Sequence, residues 1–148
     1  MYKELMNATL ERLREAPFIF VDSEEENTKR IIRGEFGKKT LPKAPACLLL
    51  FDFGTPKDLE DGFGRKIPTV EVTCYLIGKS AKTQIEAEDN TLLLAEKTEE
   101  RLTSSELLVS RLDGTEEYNR WEFDGIEWIE RKQTGSVLAV TFKMELWK

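Results

Sequence analysis

The chain has 148 residues, with 22 Lys and Arg against 28 Asp and Glu, a net charge of −6 and no histidine. A chain of this length suits one domain, able to bury roughly two thirds of the surface its unfolded form exposes. The acidic balance argues against free duplex DNA as a ligand, because affinity for the phosphate backbone needs clustered Lys and Arg. It suits a partner with a basic face.

From Tyr2 to Glu15, apolar residues at Tyr2, Leu5, Met6, Leu10 and Leu13 mark one stripe of a helix. Pro17 ends it. Phe18-Ile19-Phe20-Val21 is a short apolar run, read as an edge strand or an anchored connector. Asp22-Ser23-Glu24-Glu25-Glu26 reads as the capped, acidic first turn of a second helix, closed by Gly34 and Gly37. Its apolar surface is small, only Ile31 and Ile32.

Lys38 to Pro45 is an extended connector with two prolines. Ala46 to Phe53 is apolar at nearly every position, the mark of a strand buried on both faces for part of its length. Gly54 to Pro68 is rich in turn formers and charge and reads as the projecting arm of a hairpin. The next run, Pro68 to Gly78, organises the chain: Val70, Val72, Cys74 and Leu76 fall on one face, and Thr69, Glu71, Thr73, Tyr75 and Ile77 on the other. It reads as the central strand of a sheet.

Ile85 to Leu102 follows as a long amphipathic helix, with Ile85, Leu92, Ala95 and Leu102 on one stripe and Leu93 and Leu94 widening it. Leu107-Leu108-Val109 is a short strand. Asp113-Gly114, Asp124-Gly125 and Thr134-Gly135 are turn signals. A two-residue turn at Asp124-Gly125 would set Phe123 opposite Ile126 and Trp121 opposite Trp128. The last strand carries Leu138, Val140, Phe142, Met144 and Leu146 on its core face, with Thr141, Lys143 and Glu145 outside. These elements predict a single α+β domain: a mostly antiparallel sheet, with the N-terminal helix and the long helix packed on one face.

Chemistry is harder to find. The missing histidine removes the commonest general base and the commonest metal ligand at once. The acidic clusters Glu24 to Glu26, Glu86 to Asp89 and Glu116-Glu117 fit solvated helix ends and loops better than a metal site, and no calcium loop is present. Gly62-Phe63-Gly64-Arg65-Lys66 lacks the spacing of a phosphate-binding loop. Glu71 and Glu145 could share a face as a carboxylate pair, but Lys143 beside them makes a cross-strand charge pair the simpler account. Trp121, Trp128 and Trp147 suit core lids or subunit-contact anchors better than a ligand platform. Cys47 and Cys74, each inside an apolar run, are expected as reduced, buried thiols in a reducing cytoplasm. The N-terminal residues lack a secretion signal, and no apolar run is long enough to span a bilayer. No enzyme, cofactor, metal or membrane association is expected.

The order of elements resembles the tail-terminator and tail-completion proteins of long-tailed bacteriophages. The likeness is carried by the N-terminal helix, the proline-led strand Pro45-Ala46-Cys47-Leu48-Leu49-Leu50, the polar arm, the strand Val70 to Ile77, one amphipathic helix and a closing hairpin ending in Val137 to Leu146. The segment from Asp22 to Gly37 is an addition to that layout. The resemblance implies a structural protein that forms a ring, hexameric in the family, capping the tail tube and joining it to the head. Its implied partners are copies of itself, the tail-tube protein and a head–tail connector, without sequence-specific nucleic-acid binding. Assembly would take place in the host cytoplasm and the product would sit in the virion tail. Within the arm, Asp58, Glu60, Asp61, Arg65 and Lys66 are the residues expected to dock on a neighbour or on the tube. Two other readings share the α+β build: a head–tail joining or neck protein, and a non-viral module that binds a peptide at a sheet edge.

Overall fold

The computed structural model describes residues 2–34, 42–58, 66–110 and 116–146. Its main sheet has five strands in the order β1-β2-β3-β7-β6. These are β1 (Ile31–Arg33), β2 (Ala46–Asp58), β3 (Lys66–Gly78), β6 (Glu122–Glu130) and β7 (Ser136–Glu145). Only the β1–β2 pair is parallel; the other three pairings are antiparallel. Helices α1 (Tyr2–Arg14) and α3 (Gln84–Thr103) pack against this sheet, and the short α2 (Glu24–Arg30) leads into β1. A separate two-stranded sheet, β4 (Leu107–Ser110) with β5 (Glu116–Asn119), lies beside α1. The protein is a single α+β domain with a mostly antiparallel sheet, as the sequence predicts.

β3 occupies the middle of the sheet, and the parity of its residues explains why. Val70, Val72, Cys74 and Leu76 are all fully buried on the helix-covered face, opposite Met144, Phe142, Val140 and Leu138 of β7. On the other face Glu71, Thr73 and Tyr75 are half-buried, and Ile77 joins Ala46 and Val137 in a small second cluster. Between Ala46 and Phe53, β2 is buried on both faces at Ala46 and Cys47, while Asp52 and Phe53 are exposed. The bulk of the core therefore lies between sheet and helices.

α3 buries only part of the stripe that its sequence marks: Leu94, Ala95 and Leu102 face the core as expected, and Ile85, Leu92 and Leu93 do not. The buried residues are Ala87, Thr91, Leu94, Ala95, Thr98 and Leu102, whereas Ile85 is 72% exposed and Leu92 and Leu93 face outward. Small side chains decide this, because they let the helix axis come close to the strands. A Cβ added at Gly78 would sit 2.2 Å from Thr91 Oγ1 and 2.9 Å from its backbone nitrogen. Thr91 hides its hydroxyl by donating to Ala87 O at 2.8 Å, a bond within the helix's own preceding turn. The helix starts at Thr83, whose Oγ1 accepts from the Glu86 amide at 3.1 Å.

Three further expectations are corrected. α2 does not run to Gly34: it stops at Arg30, and Ile31 and Ile32 enter β1, where β-branched side chains fit the pleat and Ile31 becomes fully buried. Ser23 stands at the N-cap of α2 but makes no side-chain cap bond, and Gly37 lies outside the described residues. Asp124-Gly125 is not a turn. β6 continues through it with a register shift between Phe123 and Gly125, a bulge, so that Phe123 pairs with Phe142 and Trp128 with Leu138 of β7. The hairpin closes instead near Thr134-Gly135, where Gly135 N donates to Lys132 O.

The segment from Phe18 to Val21 is a connector, anchored by buried Ile19 and Phe20. α2 is held by a polar residue. Asn27, fully buried, accepts at Oδ1 from the Phe20 and Val21 amides at 3.1 and 3.3 Å, and donates from Nδ2 to Arg14 O at 3.4 Å. Arginines finish the work: Arg14 donates to Ile31 O, Arg30 to Lys43 O and Ala44 O at 2.9 Å each, and Arg101 to the carbonyls of Arg12, Glu15 and Pro17.

Candidate functional site

The arm between β2 and β3 is a hairpin whose strands stay paired as far as Asp58 opposite Lys66, with a register shift between Gly54 and Lys57. Glu60, Asp61 and Arg65 lie outside the described residues. Of the five residues expected to dock on a partner, the structure therefore brings two together.

The possible carboxylate pair resolves into a charge ladder. Lys143 on β7 stands opposite Glu71 of β3 on one side and opposite Glu122 of β6 on the other, and its Nζ is 3.7 Å from an Asp124 oxygen. One cation thus stands between carboxylates of the two neighbouring strands, a cross-strand arrangement that stabilises the sheet. Among the described residues no three Cys, Asp or Glu side chains converge as metal ligands would.

The tryptophans separate. Trp121 is fully buried, its indole nitrogen donating to Thr9 Oγ1 at 3.0 Å, while Thr9 donates to Leu5 O at 2.8 Å. It ties the start of β6 to α1. Trp128 is half-buried beneath the Arg131 guanidinium, 4.9 Å from the ring centre, and Arg131 in turn meets Glu88 of α3 at 3.3 Å. Trp147 lies outside the described residues. Cys47 and Cys74, distant in sequence, meet on the buried face of β2 and β3; burial, and then a hydrogen bond between them, pushes the Cys47 thiol up.

The cavities are open hollows. One of about 340 Å³, lined by Pro17, Phe18, Ile19, Lys97, Glu100 and Arg101, has its arginine committed to main-chain carbonyls. Another of about 390 Å³ lies on the uncovered sheet face between Tyr75, Thr141 and Ile129.

What the surface does carry is large apolar side chains. Phe123, Ile126 and Ile129 on β6 are 44%, 53% and 54% exposed. Leu108 and Tyr118 face each other across β4 and β5, both exposed, and Ile85, Leu92 and Leu93 line the outer side of α3. Single exposed apolar residues are ordinary; here they form three groups on four elements, β6, β4 with β5, and α3. The sequence assigned the whole apolar stripe of α3 to the core; Leu94, Ala95 and Leu102 are there, whereas Ile85, Leu92 and Leu93 are on the surface.

No protein-family model matches the chain, and no curated protein matches it in sequence. Among solved structures, its fold is similar to that of a chain from the virion of a native gene transfer agent particle, with 13% identity over 95% of this chain and 92% of that one and a TM-score of 0.51.

Proposed function

We propose that this protein is a non-catalytic structural component of a phage-like particle, a ring-forming subunit that caps the tail tube and joins it to the head. The observation that carries the reading is the shared fold over 95% of this chain with a chain taken from a virion. The layout of elements supports the same class, and so do the three exposed apolar groups, which suit a subunit that meets several neighbours. Six copies closing a ring, a tail-tube partner below and a head–tail connector above are the arrangement that the family resemblance implies. The acidic balance is compatible with a lumen through which DNA passes without adhering. Ring closure needs head-to-tail contacts between two different patches of one subunit, and a sheet with unlike edges, the short β1 and the long β6, is compatible with that.

Particle assembly without this chain tests the proposal. Micrographs should then display filled heads and separate tails, with joined particles restored when the chain is supplied. Joined particles formed in its absence would overturn the reading.

A further inference from the structure

We draw no further inference here: the strongest candidate, the exposed apolar row of Phe123, Ile126 and Ile129 along the open β6 edge of the main sheet, is an unpartnered face, and nothing in the structure shows what covers it.

Discussion

The centre of the sheet and the N-terminal segment are held by different forces. Around β3 and β7, packing is apolar: Val72, Cys74, Leu138, Val140 and Phe142 are buried to within 1% of complete. Around α2, one buried asparagine and three arginines secure main-chain amides and carbonyls that would otherwise be left open. Apolar packing is spread over many side chains, so the loss of one is shared. A polar anchor is concentrated, and its loss orphans several backbone groups at once.

The largest effect should come where the two regions meet. Trp121→Ala removes a fully buried indole and leaves Thr9 without the partner that links β6 to α1. It should cost about 3–5 kcal/mol in denaturant unfolding. Asn27→Ala should follow, at about 2–4 kcal/mol, because the Phe20 and Val21 amides lose their acceptor and the Arg14 carbonyl a donor. Hydrogen exchange of this variant should rise first in residues 18–33, while β3 and β7 stay protected. Uniform loss of protection would mean that the two regions are one cooperative unit.

The buried helix face gives a smaller effect of the opposite sign. Thr98 is fully buried on α3 and its hydroxyl has no hydrogen-bond partner among the described residues. Replacing it with valine keeps the shape and removes the unmet polar group, so Thr98→Val should stabilise by about 1 kcal/mol, read as a higher denaturant midpoint. An unchanged or lower midpoint would mean that the hydroxyl has a partner such as bound water. The smallest effect is pH-dependent. Burial raises the Cys47 thiol above its unfolded value, so its neutral form is favoured in the fold and its contribution is complete below the unfolded pKa of about 8.5. That contribution should decline as pH rises from there towards the folded value. Cys47→Ala should flatten this decline between pH 8 and 10, and an unaltered slope would assign it to other groups.

The same contrast explains what could be read from the residues alone. β3 was legible because period two and burial coincide: four alternate apolar residues, all at 0% exposure, need no partner information. The face of α3 was legible only in part: Leu94, Ala95 and Leu102 are buried as their spacing predicts, but hydrophobicity also singled out Ile85, Leu92 and Leu93, whereas close approach to Gly78 favoured the small Thr91. Asp124-Gly125 carries a turn signal, yet it is a bulge because the strand gains more from pairing Phe123 with Phe142 and Trp128 with Leu138 than from reversing. Asn27 has no signature in sequence, since an asparagine in an acidic helix looks solvated until its neighbours are known. Of the arm, the backbone register that sets Asp58 opposite Lys66 follows from hairpin geometry, whereas the place of β1 and β6 as the sheet's two edges depends on topology.

The most direct test of the assembly account is the molar mass of the purified full-length chain by light scattering across a wide concentration range. The account requires a discrete closed species, six chains of 17.1 kDa in the family's arrangement. A symmetric dimer, or a continuous series of masses without a closed species, would contradict it.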